Sequence, residues 1–283
     1  MDQASFLFRD IIFTMSRELL HLVKDGERID PSAPTVKNKP WSRWGQKELG
    51  REHAERYSFA ASQGKNHGEN HKQLTLDCAC GTGYGSRILE ENGNSKKVIS
   101  LDRDQKACLY TKKNNNRRVV QADASHLPFK DDAFGEVISF ETIEHLPEPK
   151  KFAKEASRVL KENGKITIST PNREVIASTS YRDPQKTFNP FHLHELSLEE
   201  MLGLLADKFT DINIFGQRIL PKPVSWIHQK IMLPAMQKLS LAPEGWLRRL
   251  SRFIIIVTTS PKARKINNNQ QAEYIIIQAR KSS

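Results

Sequence analysis

The tightest constraint on this chain is the stretch Leu76-Asp77-Cys78-Ala79-Cys80-Gly81-Thr82-Gly83-Tyr84-Gly85-Ser86. A short apolar run, Leu74 to Cys80, stops at glycines, and an amphipathic segment through Arg87, Ile88, Leu89 and Glu90 follows. That is the pattern of a buried strand, a tight turn and a helix start. Glycine is required in such a turn because the backbone angles exclude side chains and because a ligand must come close to the main chain. The exposed amides of the helix N-terminus then face whatever lies in the turn. Asp77 sits four residues before the first glycine, where its charge would repel a phosphate. No lysine stands in the turn to neutralise one, which argues against a P-loop. A carboxylate beside a glycine turn suits a ligand with a cationic amino group.

The same grammar continues down the chain. Lys97 to Asp102 reads as a second strand ending in an acid about 20 residues past the glycines, where a carboxylate accepts ribose hydroxyls. Asp104 is then the expected cap of a helix over Gln105–Lys113, leaving Asp102 for the ligand. Arg117 to Ala122 is a third strand, ended by Asp123, and Phe134 to Phe140 a fourth, ended by Glu141. A helix over Pro149–Lys161, a fifth strand over Gly164–Thr170, a helix over Leu198–Lys208 capped by Ser197, a sixth strand over Phe209–Gly216 and a last strand over Glu273–Ala279 complete the pattern. Strands alternating with helices predict a doubly wound, mostly parallel α/β sheet. Asp77, Asp102 and Asp123 stand at the ends of three successive strands, which is where ligands bind in such sheets.

On these residues the chain resembles the class I S-adenosylmethionine-dependent methyltransferases, whose first motif reads much like Asp77-Cys78-Ala79-Cys80-Gly81-Thr82-Gly83. The resemblance covers about residues 52 to 217 plus the last strand. It implies a Rossmann-like seven-stranded sheet, S-adenosylmethionine as cofactor, and a helix over Glu52–Ala61 lying across that cofactor. It places Asp77, Cys80, Gly81 and Gly83 at the cofactor, Asp102 at the ribose, and Asp123 at the adenine amino group. Ala124 would offer a backbone amide, and Glu141 would line the cofactor pocket. Thr170-Pro171-Asn172-Arg173, with the later Asn189-Pro190-Phe191-His192-Leu193-His194-Glu195, looks like bacterial methyltransferases of glycan and natural-product pathways.

Methyl transfer is an in-line displacement on a sulfonium, so alignment of donor and acceptor carries much of the catalysis. An oxygen acceptor must also lose a proton, and histidine is the side chain best tuned to take it. His145, His192 and His194 follow the fourth and fifth strands, and His192 or His194 is the expected base. Glu141, Glu144 and His145, at i, i+3 and i+4, would share one helical face. With His192 or His194 they offer the donors of a divalent-metal site. Metal-free relatives share a similar Glu-x-x-Glu-His-Leu stretch, so the expectation is a site without metal, with Glu144 binding solvent or a backbone amide.

The net charge is +11, and from Asn213 to Ser283 twelve Lys/Arg stand against two Glu, which places almost all of the excess in the last quarter. Such a patch meets phosphate, an anionic membrane or an acidic substrate. The expected partner is a small-molecule or lipid-linked acceptor, a sugar among them. The alternative is a nucleic acid, methylated at RNA 2′-oxygens with a metal, and a third reading is a binding protein without catalysis. Residues 1–50 read as a helical extension with an amphipathic segment over 5–24 and a linker over 30–40. The methyltransferase domain is expected over 51–217 and 271–283, with an insertion over 218–270. Its apolar and arginine-bearing residues, 218–257, suit a lid, a dimer contact or a peripheral membrane contact. Three cysteines, two of them in the glycine motif, fit a reducing cytoplasm. No signal peptide and no run of about 18 apolar residues is present. The sequence leaves the oligomeric state open.

Overall fold

The structure, a computed structural model, describes residues 40–63, 74–93, 97–115, 118–176, 191–221 and 259–282. Helix α1 (Pro40–Gln63) leads to β1 (Leu74–Cys78), α2 (Tyr84–Asn92), β2 (Lys97–Asp102), α3 (Gln105–Asn115) and β3 (Arg118–Gln121). There follow β4 (Phe134–Phe140), a 3-10 turn (Ile143–His145), α4 (Pro149–Val159), β5 (Leu160–Pro171) and the short α5 (Arg173–Ile176). The chain closes with α6 (Leu198–Leu205), β6 (Phe209–Pro221), β7 (Arg264–Lys265) and β8 (Gln270–Lys281). Among the described residues these strands form one eight-stranded sheet in the order β3-β2-β1-β4-β5-β8-β6-β7.

Strands β1 to β5 pair in parallel, and β8 runs antiparallel to both β5 and β6. The first three strands step outward from β1, and the chain then returns to lay β4 on the other side of β1. This reversal opens a crevice at the carboxyl ends of β1 and β4, the place where open α/β sheets take ligands. Strand β4 is buried along nearly its whole length, as expected of a central strand covered on both faces.

Alternation along the strands feeds two apolar layers. Leu76, Val137, Ile166 and Ile168 pack with Phe152, Ala156 and Val159 of α4 and Met201 and Leu205 of α6. On the other face Val98, Ile138 and Phe140 pack with Tyr57 and Ala60 of α1 and Leu89 of α2. Each such aliphatic side chain contributes about 1.5–3 kcal/mol on burial. Helix α6 starts on a capping box: the Ser197 hydroxyl accepts the Glu200 amide at 3.2 Å, and the Glu200 carboxylate accepts the Ser197 amide at 2.7 Å.

The elements follow the expected order, with three differences. An eighth strand, the two-residue β7, pairs with the free edge of β6. The β6–β8 ladder extends from Phe209↔Lys281 to Pro221↔Gln270, so the expected start of the insertion at 218 falls inside β6. The physical reason lies in Gln217 and Arg218, which are buried and tied to α1. Helix α1 also begins twelve residues before the expected Glu52, at Pro40, a residue tolerated in a first helical turn. The amphipathic segment 5–24, the histidine-bearing loop around His67 and His71, and most of the insertion, 222–258, lie outside the described residues.

Helix α1 is seated on the glycine turn through Tyr57. A side-chain carbon on Gly85 would run into the Tyr57 ring, which also meets Phe140 edge-on with centroids 4.9 Å apart. Gly85→Ala is therefore expected to cost about 1–3 kcal/mol through overpacking. The readout is a lower urea midpoint at unchanged slope; an unchanged midpoint would mean that α1 does not bear on the turn.

Candidate active site

The turn after β1 runs through three left-handed residues, Ala79 (φ 62°), Gly81 (φ 55°) and Gly83 (φ 78°). A side-chain carbon on Gly83 would collide with Thr111 of α3, whereas one on Gly81 would meet nothing within 4 Å. Space thus remains over Gly81 for a ligand. Thr111 Oγ1 donates to the Gly81 carbonyl at 3.0 Å, and the Gly83 amide donates to the Cys80 carbonyl at 2.9 Å. Cys80 is buried, and its amide donates to Leu101 of β2.

The strand-end acids take different positions. Asp77 is fully buried, accepting from Tyr57 Oη at 3.0 Å and from Ser86 Oγ at 2.6 Å. It therefore braces α1 and α2 against β1, a role that the sequence reading did not include. Asp102 is half-buried, and it is not left spare by Asp104. Its Oδ2 accepts the Gly81 amide and its Oδ1 the Asp104 amide, each at 2.8 Å. Asp104 in turn caps α3 by accepting the Ala107 amide at 3.0 Å. Asp123 is half-buried and accepts the Ser125 amide at 2.7 Å, next to the buried Ala124.

Beyond β4 the chain turns sharply at Glu141, a non-glycine residue with φ 50°. Such strain is held only where surrounding contacts enforce it, and it concentrates at functional sites. Glu141 Oε1 accepts from Ser169 Oγ of β5 at 2.9 Å and lies 3.9 Å from Nη1 of the buried Arg56. This corrects the helical spacing expected for Glu141, Glu144 and His145. The helical turn starts only at Ile143, so Glu141 faces β5 and Arg56 and stands apart from the other two.

Glu144, His145 and His192 do come together, with one ligand atom from each lying within 4.8 Å of the others. Glu144 is fully buried and accepts from Thr170 Oγ1 at 3.2 Å. Burial, and secondarily the charge of Glu141, push its carboxyl well up from the usual range, against the lowering effect of His145 and His192. The Glu144 carbonyl accepts the Leu193 and His194 amides at 2.8 and 3.1 Å, which docks the 191–194 segment on the turn. The His145 and His192 rings meet edge to face with centroids 4.8 Å apart. His194 is half-buried, and its Nε2 has no hydrogen-bond partner among the described residues. Two further residues escaped the sequence reading: Ser169, which holds Glu141, and Glu195, buried 3.7 Å from His192 Nδ1.

The model of a family described as a methyltransferase domain matches residues 76–168. A probable S-adenosylmethionine-dependent methyltransferase of Mycobacterium tuberculosis is 32% identical over 189 residues, spanning 65% of this chain and 67% of that protein. Solved structures share the fold at lower identity. A possible histamine N-methyltransferase from Thermotoga maritima aligns with TM-score 0.53 at 16% identity, covering 85% of this chain and 97% of that one. The geranyl diphosphate C-methyltransferase of Streptomyces coelicolor, solved with S-adenosyl-L-homocysteine, aligns with TM-score 0.52 at 17% identity, covering 90% of this chain and 87% of that one. The chain belongs to the S-adenosylmethionine-dependent methyltransferases. S-adenosylmethionine is its cofactor, and the glycine turn leaves the main chain open at Gly81, whose amide is held by Asp102. No helix among the described residues is long and apolar enough to cross a membrane.

Burial pushes the Asp77 carboxyl from 3.8 up to about 6, against the lowering effect of its Ser86 and Tyr57 hydrogen bonds. A buried acid raised in this way holds its proton more tightly in the folded than in the unfolded chain. Its contribution to stability is full below the unfolded value and is lost as pH rises through about 6. The displacement corresponds to about 3 kcal/mol. Unfolding free energy of the ligand-free protein is expected to fall between pH 4 and 6, and Asp77→Asn to flatten that fall. An identical pH profile in Asp77→Asn would assign the effect to another group.

Proposed function

We propose that this enzyme methylates a hydroxyl oxygen of a small-molecule or lipid-linked acceptor, a sugar among the candidates. The observation that carries the reading is the histidine cluster docked on Glu144 beyond β4, at the carboxyl end of a strand that runs parallel to β1, whose own carboxyl end carries the glycine turn. In this reading Asp102 accepts the ribose hydroxyls through the lone pairs that its two amide bonds leave over. Asp123 meets the adenine amino group, the Ala124 amide faces the base, and Glu141 lines the pocket near the methionine half. Asp77, beneath the turn with Tyr57 and Ser86 on its oxygens, sets the charge that a cationic amino group meets. Cys80, Gly81 and Gly83 supply the backbone shape against which the cofactor lies.

The reaction requires the acceptor oxygen in line with the methyl–sulfur bond. The hydroxyl proton passes to a histidine nitrogen of the cluster, His192 or His194 in preference to His145, whose Nδ1 already donates to the Phe191 carbonyl at 2.8 Å. The oxygen pair forms the new carbon–oxygen bond while the carbon–sulfur bond breaks. The sulfonium leaves as the neutral thioether, and the protonated histidine returns its proton to solvent. Such general-base assistance contributes about 10²–10⁴-fold.

Three measurements test this. Incubation of the enzyme with cell-extract fractions and methyl-labelled S-adenosylmethionine is expected to label the small-molecule or lipid fraction in an alkali-stable ether; label confined to RNA or to nitrogen would overturn the acceptor class. Asp102→Ala is expected to weaken S-adenosylhomocysteine binding by at least tenfold in calorimetry, and to loosen the turn because the Gly81 amide loses its acceptor. Unchanged affinity would remove Asp102 from the ribose site. If His192→Ala and His194→Ala both keep full turnover, the histidine cluster is not the base.

A further inference from the structure

We propose that Glu144, His145 and His192 bind one divalent transition-metal cation, with coordination positions left open toward the methyl acceptor. The binding stands on geometry alone; its role in the reaction rests on the hydroxyl-acceptor reading above.

The donor atoms of these three residues lie within 4.8 Å of one another. Metal bonds of about 2.0–2.2 Å to nitrogen and oxygen bring such donors to a common centre after small side-chain rotations. An independent observation is the Glu144 carboxylate itself. The residue is fully buried, Thr170 serves its Oε2, and its Oε1 has no hydrogen-bond partner among the described residues. A buried oxygen left without a donor is costly, and one in a native protein calls for a partner. A cation is the partner that a carboxylate flanked by two imidazoles selects.

The surroundings orient the donors as outer partners of a metal do. The Phe191 carbonyl can only accept, so His145 Nδ1 carries the proton and the neutral ring presents its lone pair at Nε2. The buried Glu195 carboxylate stands 3.7 Å from His192 Nδ1, a neighbouring negative charge that favours a proton on that nitrogen. The two amide bonds to the Glu144 carbonyl lock the segment carrying His192 to the turn carrying Glu144 and His145. Glu141 is excluded from the set because Ser169 and Arg56 engage it.

Two imidazoles and one carboxylate favour manganese, iron, cobalt or zinc over magnesium or calcium, which prefer oxygen donors. Three protein ligands leave room for the acceptor oxygen. A hydroxyl bound there is acidified by the cation. With two of the three imidazoles occupied by the metal, His194 receives the proton.

The test is titration of the full-length, chelator-treated protein with Co2+, read by visible d–d absorption. Wild type is expected to take up one equivalent, and Glu144→Gln and His192→Ala to bind at least tenfold more weakly with S-adenosylhomocysteine affinity and circular dichroism retained. No uptake by wild type overturns the site whatever the variants do, and so does uptake undiminished in both folded variants. The two proposals fail separately. Hydroxyl methylation undiminished by excess chelator removes the metal and keeps the acceptor reading. Co2+ uptake in a protein whose methyl label enters only nitrogen keeps the site and removes that reading.

Discussion

The hydrogen-bonded, buried carboxylate of Asp77 is the point on which the cofactor side of the molecule depends. Tyr57 reaches it from α1 and Ser86 from α2, while Asp77 belongs to β1, so one side chain fixes two helices to the strand that carries the glycine turn. Desolvation makes the site expensive for a bare charge, and the two hydroxyl donors partly offset that cost. The close seat of Tyr57 on Gly85 and the collision that any side chain at Gly83 would suffer with Thr111 leave the turn one shape. Asp102 then draws the Gly81 amide toward β2.

A second buried network plays the corresponding part at the other edge. Arg56 Nη1 donates to Gln217 Oε1 at 2.8 Å, Gln217 Nε2 donates to the Glu52 carbonyl at 2.8 Å, and Arg218 Nε donates to Glu52 Oε1 at 3.0 Å. The Arg56 guanidinium also lies 4.5 Å from the centre of the Tyr274 ring. These groups pin α1 to β6 and β8 across the top of the sheet. Removing one partner of a buried pair leaves the other charge uncompensated, which costs about 3–5 kcal/mol. Helix α1 is thus held near the glycine turn by Tyr57 and at the far strands by the adjacent Arg56.

Much of this was legible in the sequence because its signals are local. Apolar runs ended by glycine, acids closing strands, and Ser197 with Glu200 three residues later each report on a few neighbouring backbone groups. The two-residue β7 carried no such signal, since so short a strand exists only because β6 offers it an edge. The pairing of Asp77 with Tyr57 also lay beyond reach, because twenty residues separate them and only the packing of α1 brings them together. Glu141 shows the opposite failure. Its spacing to Glu144 and His145 imitates a helix, yet the backbone turns through a positive φ before the helical turn begins.

The doubly wound sheet, the glycine turn and the acids at the strand ends were already written in the chain, because they follow from periodicity and from residues whose chemistry acts within one turn. The kind of cofactor came from the family that these residues resemble. Only the tertiary structure decided which acids are buried and which half-exposed, and that Glu144, His145 and His192 converge while Glu141 is drawn aside. Convergence depends on how β5 and the 191–195 segment dock on the end of β4, through hydrogen bonds between residues 26 to 50 positions apart. No local pattern encodes contacts over that separation, because they form only after the sheet has brought the strands side by side.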